Sequence, residues 1–203
     1  MIVKFQIPDD IYNELKRDIK ETNIKYNENL AGNIRQEYDL VNYSKKYESF
    51  IISKAFEDKN FAENLKSIHM LYPHNQGFTL GSFWVNFQKK YEFNPIHNHD
   101  GVFSFILFIK VPFTMEQELQ RSPGIESNTN LAGHLQFVES NPNVPGNISA
   151  ESLPVDKTWE QTGLIFRSYL NHCVYPFFST DEQRITISGN VYFSNRTNED
   201  IKK

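Results

Sequence analysis

Residues 184–190 read RITISGN, and their side chains alternate between polar and apolar. Successive side chains of a β-strand point to opposite faces, so this pattern predicts a strand with one polar and one apolar face. The polar face carries Arg184, Thr186, Ser188 and Asn190, and the apolar face carries Ile185, Ile187 and Val191. Inside a barrel, a face that includes a guanidinium needs a partner such as a bound dicarboxylate, because an unpaired buried charge is costly. On a half-buried strand, the same face would simply contact solvent.

Similar strand patterns extend back from this segment to about residue 77. Short runs rich in aromatic and β-branched residues are separated by Gly, Pro, Asn and Ser, which is typical of a β-sandwich or barrel. The runs are 78–91, 102–111, 135–138, 163–166, 173–178 and 184–193. Two polar segments, 115–132 and 139–160, interrupt them, and segments of this length are typical of lids, binding loops or mobile parts.

The N-terminal part of the chain has helical periodicity instead. Ile11, Leu15 and Ile19 recur at helical spacing, and 50–72 continues the pattern, whereas 29–43 is too polar to assign. The sequence therefore predicts an α+β protein with a single domain over residues 1–203. Its parts are a helical layer (1–76), a β-barrel core (77–194) and a tail (195–203).

Composition and charge exclude several classes of protein. Hydrophobic residues make up 39% of the chain, which is enough for a packed core, and the net charge of -4 lacks the basic excess of nucleic-acid-binding proteins. The single cysteine, Cys173, cannot form an internal disulfide. No signal-peptide pattern is present, and no apolar run approaches the roughly 20 residues of a membrane span. We expect a cytoplasmic protein, and the richness in Lys, Asn and Ile is typical of AT-rich genes, including those of phages acting in a host cytoplasm.

Two histidines lie two residues apart in the segment 94–101, which reads NPIHNHDG. On an extended chain, residues i and i+2 point to the same side, so the imidazoles of His97 and His99 are expected to converge. Neutral imidazole is a ligand for iron, zinc and copper, which makes the pair a candidate metal site. The alternative is two polar residues at the end of a strand, one of which caps a turn.

A third histidine, His172, directly precedes an apolar run, and Arg184 follows twelve residues later. On a strand, the neighbouring Cys173 would point to the opposite face, which indicates a small core residue rather than a nucleophile. Tyr169 is a weaker candidate for the same site.

The order His-X-His, a distal His and Arg-X-Thr resembles the pattern of the 2-oxoglutarate/Fe(II) oxygenase superfamily. The resemblance covers residues 82–192 and is strongest at 84–86, 93–99, 133–137 and 184–190. Within the superfamily, the sequence is similar to oxygenases of cyanophages and marine bacteria that are themselves similar to prolyl hydroxylases. The resemblance implies a double-stranded β-helix, which is a jelly-roll, cupin-like barrel, with supporting N-terminal helices.

For the metal, the resemblance implies that His97 and His172 bind Fe(II). The superfamily's carboxylate ligand falls on position 99, where this chain has a histidine. We expect His99 to complete a three-histidine site. The alternative ligand is Asp100, which would need a bulge or turn that Gly101 permits.

For the cosubstrate, the resemblance implies that Arg184 binds the distal carboxylate of 2-oxoglutarate, with Thr186 or Ser188 adding a hydroxyl contact. Asn86 lies on a predicted strand whose neighbouring side chains are apolar, so its amide either projects into the barrel and contacts the cosubstrate or makes a structural hydrogen bond.

The expected activity is that of a dioxygenase, which couples the oxidative decarboxylation of 2-oxoglutarate by O2 to the hydroxylation of a substrate. Similarity to prolyl hydroxylases implies a peptidyl substrate, with 115–132 and 139–160 as candidate substrate loops. The alternative is a small-molecule substrate, since a small metabolite or a modified nucleobase would fit the same core. One alternative is a three-histidine cupin-type metalloenzyme that does not use 2-oxoglutarate, which the spacing of Arg184 opposes. The other is a non-catalytic jelly-roll binding module, which the missing carboxylate at position 99 favours.

Overall fold

The computed structural model describes residues 1–69, 76–140, 144 and 146–195. The end of the predicted helical region, 70–72, and residues 196–203 of the predicted tail lie outside the described residues.

Within these ranges, four α-helices accompany ten strands. The helices are α1 (Asp9–Glu21), α2 (Ser44–Glu57), α3 (Lys59–His69) and α4 (Met115–Arg121). The strands are β1 (Ile2–Gln6), β2 (Glu37–Asp39), β3 (Gln76–Gln88), β4 (Asn94–His97), β5 (Phe103–Lys110), β6 (Leu135–Ser140), β7 (Ile148–Leu153), β8 (Thr162–Arg167), β9 (Asn171–Val174) and β10 (Arg184–Asn195).

The strands form two antiparallel sheets that make up the predicted double-stranded β-helix. One sheet has the order β1-β8-β5-β10-β3-β2, and the other has the order β4-β9-β6-β7. A core of apolar side chains joins the sheets, with members on β5, β8 and β6. These members are Ile106, Phe108, Leu164, Phe166, Leu135 and Phe137.

A second core lies on the opposite face of the six-stranded sheet, where the helices pack. Leu15 of α1, Ile51 of α2 and Phe61 of α3 join a buried cluster with Phe105 and Ile187 of the sheet. The helical layer therefore covers one face of this sheet and leaves the other face for the barrel interior.

The alternation predicted for residues 184–190 is confirmed on β10. Ile187 and Val191 are fully buried in the cluster shared with the helices. Arg184, Thr186 and Ser188 line a cavity inside the barrel instead. The polar face of the strand therefore points into the barrel rather than to solvent.

The structure differs from the sequence prediction in the N-terminal layer, which is not only helical. β1 pairs with β8, and β2 pairs with β3, so this layer also supplies both edge strands of the six-stranded sheet. Both strands are short, and their partners are distant in sequence. Local periodicity therefore carries little signal for them.

The two polar segments predicted as long loops also contain regular structure. The first begins with α4, whose start is fixed by a capping box between Thr114 and Gln117. The second contains β7, which pairs with β6. None of the helices in the described ranges combines the length and apolar character that crossing a membrane requires.

Candidate metal centre and cosubstrate cavity

Three histidines converge where β4 meets β9. His97 and His172 are directly opposite each other on these strands, and their ring centroids are 4.3 Å apart. The ring of His99 lies 4.9 Å from that of His97 and 5.0 Å from that of His172. One ring nitrogen from each histidine lies within 4.8 Å of the other two. This cluster has the size of a site for a single metal ion.

Backbone carbonyls orient two of the rings. His97 Nδ1 lies 2.7 Å from the carbonyl oxygen of Pro95, and His172 Nδ1 lies 2.9 Å from that of Leu170. A carbonyl oxygen can only accept a hydrogen bond, so Nδ1 carries the proton in each neutral ring. The Nε2 lone pairs of both rings remain available for a metal.

Burial keeps the cluster neutral. Loss of solvation lowers the pKa of all three histidines, and the neighbouring histidines add to this effect at His99 and His172. Together these causes bring the pKa of His99 to about 4 and that of His172 to about 3. Neutral imidazole is the form that binds metals. At neutral pH, protons therefore do not compete for these nitrogens.

Asp100 is exposed and does not belong to the cluster. The backbone N–H of His99 donates to the carbonyl oxygen of Ser168 at 2.8 Å, which fixes His99 beside β9. Gly101 does adopt a left-handed conformation, with φ of 99°. The turn nevertheless brings His99, and not Asp100, to His97 and His172.

Arg184 lies deep in the barrel and is only 2% exposed. Its Nε and Nη2 groups donate to Gln88 Oε1 at 2.9 and 2.7 Å, and Nη2 also donates to the carbonyl oxygen of Tyr175 at 3.1 Å. Nη1 donates to the carbonyl oxygen of Gly133 at 2.9 Å. All of these acceptors are neutral, and one N–H of Nη1 makes no further bond among the described residues. Burial lowers the pKa of Arg184 to about 10, which leaves it charged at neutral pH.

The histidines and Arg184 line one cavity. Thr186, Ser188 and Asn86 line it as well. Asn86 Nδ2 donates to Thr186 Oγ1 at 3.2 Å, whereas the buried Oδ1 of Asn86 has no hydrogen-bond partner among the described residues. The structure thus brings together all the predicted site residues except Asp100 and the weaker candidate Tyr169.

Sequence reasoning missed two residues of this region and included one that does not belong. Gln88 lies on the same face of β3 as Asn86, and strand alternation could have revealed it. Glu37 lies directly opposite Asn86 on β2, in a segment too polar to assign from sequence. Tyr169 is 64% exposed and does not line the cavity, because the chain turns between β8 and β9.

The sequence model of the family described as "Putative 2OG-Fe(II) oxygenase" matches residues 82–190. This match spans more than half of the chain and includes all three histidines and Arg184. The chain belongs to this family. A 2OG-Fe(II) oxygenase is an oxidoreductase that uses Fe(II) and 2-oxoglutarate, so the predicted enzyme class and cofactors are confirmed. This membership favours the oxygenase over both alternatives.

The fold of this 2OG-Fe(II) oxygenase is similar to that of solved structures. A Pseudomonas putida prolyl-4-hydroxylase matches with 13% identity and a TM-score of 0.52, over 96% of this chain and 92% of that chain. A Burkholderia pseudomallei oxidoreductase of the 2OG-Fe(II) oxygenase family matches with 12% identity and a TM-score of 0.52, over 94% and 84% of the respective chains. At this identity the likeness supports the double-stranded β-helix. No curated protein matches the chain.

Proposed function

We propose that this oxygenase binds Fe(II) through His97, His99 and His172, binds 2-oxoglutarate through Arg184, and hydroxylates a peptidyl substrate. The observation that carries the proposal is a single cavity with three converging neutral imidazoles and a buried guanidinium. Neither group has a carboxylate partner within hydrogen-bonding distance among the described residues.

The donor set fits Fe(II). Imidazole nitrogen is a common ligand for this ion, and three protein ligands leave positions open for other molecules. A histidine at position 99 leaves the site one unit more positive than the superfamily's acid would. Of the two negative charges of 2-oxoglutarate, one would pair with Arg184 and the other would offset half of the charge of Fe(II) held by three neutral ligands.

The deep end of the cavity fits the distal carboxylate of 2-oxoglutarate. The guanidinium of Arg184 is charged and buried, and one of its Nη1 N–H groups is available for a carboxylate oxygen. Thr186 and Ser188 offer hydroxyl donors from the same strand. Rotating the Asn86 amide by half a turn would present its NH2 group in place of the unpartnered Oδ1.

When bound, iron and 2-oxoglutarate would supply the oxidising chemistry, which converts O2, 2-oxoglutarate and the substrate into succinate, carbon dioxide and the hydroxylated substrate, with one oxygen atom of O2 in succinate and the other in the new hydroxyl group. The chain holds the reacting groups in place and excludes water. The Nδ1–H bonds of His97 and His172 fix the ring orientations. Phe166 packs edge-on against His172 with ring centroids 4.9 Å apart, and thereby shields the ring from solvent.

The peptidyl substrate is proposed from the similarity in fold to a prolyl-4-hydroxylase. It is tested by incubating the holoenzyme with a peptide library and looking for a mass gain of one oxygen atom that requires 2-oxoglutarate.

The iron and 2-oxoglutarate sites are tested by anaerobic absorption spectroscopy. Wild-type protein with Fe(II) and 2-oxoglutarate should show a visible metal-to-ligand charge-transfer band. His172→Ala should abolish the band. Arg184→Lys should keep iron binding but require about tenfold or more 2-oxoglutarate, because lysine lacks the planar array of donors. His134→Ala is the matched control, since His134 lies outside the cluster.

Two results would contradict the proposal. If iron bound but 2-oxoglutarate produced no band, the chain would be a three-histidine metalloprotein that does not use this cosubstrate. If neither bound at millimolar concentration, the chain would be a family member without the activity.

A further inference from the structure

A second cavity shares Trp84, Asn94, His97 and His99 with the cosubstrate cavity, so the two are branches that meet beside the histidine cluster. The second branch is lined by Glu37 and by none of the proposed 2-oxoglutarate ligands. It is therefore the space available to a primary substrate.

Glu37 is buried there without a complete set of partners. The residue is only 1% exposed, and Asn27 Nδ2 donates to its Oε2 at 3.1 Å. Oε1 is buried and has no donor among the described residues. Burying a carboxylate oxygen without a hydrogen-bond donor costs free energy. A ligand that supplied this donor would therefore bind favourably at Glu37.

A second acceptor lacks a donor beside the same point. Asn94 Oδ1 is also buried and has no hydrogen-bond partner among the described residues. A Cβ atom on Gly32 would lie 2.5 Å from Asn94 Oδ1 and 3.0 Å from Glu37 Oε1. Both oxygens therefore border one small space, and a nitrogen with two N–H groups could donate to both.

Glu37 is the source of negative charge in this branch; burial raises its pKa to about 7, and a cation beside it would favour the ionised form. None of the described residues that line it is Lys or Arg, and Glu37 is the acid among them. A polar groove adjoins it and shares Asn29, Trp84 and His99 with it; this groove contains the exposed acid Asp100. A cation that approached through the groove would meet two carboxylates and no like charge from Lys or Arg.

We propose that Glu37 and Asn94 in this branch bind a positively charged nitrogen of the primary substrate, an ammonium or guanidinium group such as those of lysine and arginine side chains. This inference rests on the proposed function for the identity of the site as a substrate site. It narrows the class of peptidyl substrate to peptides that contain a basic residue.

The test is an NMR titration of the protein with three blocked amino acids. N-acetyl-lysine methylamide and N-acetyl-arginine methylamide carry the cation, and N-acetyl-norleucine methylamide is the neutral analogue of the first. At least one cationic probe should bind about tenfold or more tightly than the norleucine probe, since hydrogen bonds to charged groups are the stronger ones. Glu37→Gln should reduce cation binding to the level of the neutral probe.

Glu28→Gln is the matched control. It removes the same charge from an exposed position in the same N-terminal segment, so it should leave the preference for cations unchanged. If Asn94 instead turns its amide NH2 toward Glu37, the need for an outside donor disappears. The probes would then show no preference for charge, Glu37→Gln would only lower the Tm, and the inference would be overturned.

The titration is repeated with Fe(II) and 2-oxoglutarate bound anaerobically, while the charge-transfer band is monitored. If the protein shows no charge-transfer band but still binds cations through Glu37, the result supports this subsite and contradicts the proposed oxygenase chemistry. A normal band without any preference for cations would overturn the subsite alone.

Discussion

His99 occupies the position where the superfamily pattern has an acid, and Asp100 follows it directly. The structure places His99 within the cluster and leaves Asp100 exposed. His99→Ala should weaken Fe(II) binding by about tenfold or more, because replacing even a residue that only supports the metal ligands typically lowers metal affinity 10–100-fold. Asp100→Ala should change Fe(II) affinity by less than about twofold. Metal titration of both variants measures this. The reverse order would show that Asp100 moves in to complete the site.

The buried histidines should make the metal-free protein sensitive to acid. The pKa of His172 is lowered to about 3 from 6.5, so the unfolded chain takes up a proton that the folded chain rejects. Above pH 6.5, His172 is neutral in both the folded and the unfolded chain, and the free energy of unfolding does not depend on it. As the pH falls from 6.5 toward 3, protonation of His172 in the unfolded chain lowers the free energy of unfolding by about 1.4 kcal/mol per pH unit.

This loss is measured as the difference in unfolding free energy between wild type and His172→Gln, from urea denaturation between pH 7 and pH 4.5. The comparison cancels Glu37, whose pKa is raised by burial to about 7 and whose contribution has the opposite sign in this range. A difference that did not change with pH would show that His172 is accessible to protons in the folded protein.

Gln88 accepts two hydrogen bonds from Arg184 with one oxygen, on the edge of the guanidinium where a carboxylate could also bind. Gln88→Glu would place a negative charge there and neutralise Arg184, so 2-oxoglutarate should bind about tenfold or more weakly. Both Gln88→Glu and Gln88→Leu remove the hydrogen bond from Gln88 Nε2 to the Glu92 carbonyl oxygen, but Gln88→Leu adds no charge. The Gln88→Leu variant should therefore bind 2-oxoglutarate more tightly than the Gln88→Glu variant. Titration of the charge-transfer band compares the two. Equal affinities would show that the charge of Arg184 does not govern cosubstrate binding.

At the scale of secondary-structure elements, α4 holds the loop that precedes β10. Glu118 is fully buried, and its two oxygens accept the backbone N–H groups of Phe178 at 2.7 Å and Ser179 at 2.8 Å. Glu118→Gln would turn an amide NH2 toward one of these donors. It should lower the unfolding free energy by about 1–3 kcal/mol.

Urea denaturation measures this effect. Glu116→Gln, on an exposed position of the same helix, is the control and should stay within about 0.5 kcal/mol of wild type. Equal effects of the two substitutions would mean that the loop does not depend on α4. The two bonds of Glu118 thus anchor the helical start of segment 115–132, for which the sequence suggested a lid, a binding loop or a mobile part.

At the scale of the whole molecule, the helical layer and the barrel share one buried cluster, and we expect them to unfold together. Ile51 of α2 is fully buried in that cluster. Ile51→Ala should lower the unfolding free energy by about 2–5 kcal/mol, because it leaves a cavity between α2 and the sheet.

The two tryptophans, Trp84 and Trp159, lie in the barrel part and contact Tyr26 and Lys4 of the N-terminal layer, so their fluorescence reports on the barrel and its junction with that layer. Far-UV circular dichroism reports on the helices, and three of the four described α-helices belong to the N-terminal layer. The two transitions should coincide in wild type and shift together in Ile51→Ala. Ser53→Ala on an exposed position of α2 is the control. Separate transitions would divide the chain into two units and contradict the single domain.

The sequence by itself determined most of the barrel strands, the helical character of much of the N-terminal layer and the types of side chain at the site, but not β1, β2, β7 or α4. Alternation along β10 identified the polar face that carries Arg184, and the spacing of His97 and His99 identified a candidate pair of metal ligands. Each of these patterns spans only a few consecutive residues, so it can be read from the sequence directly. Neither signal needs knowledge of which strands pair.

Only the tertiary structure decided which side chains meet across the barrel. The contact of His172 with His97 depends on the pairing of β4 with β9, and the position of Glu37 depends on the pairing of β2 with β3. Such pairings join residues far apart in sequence. They are set by the packing of the two cores, and no local pattern of polar and apolar residues records that packing.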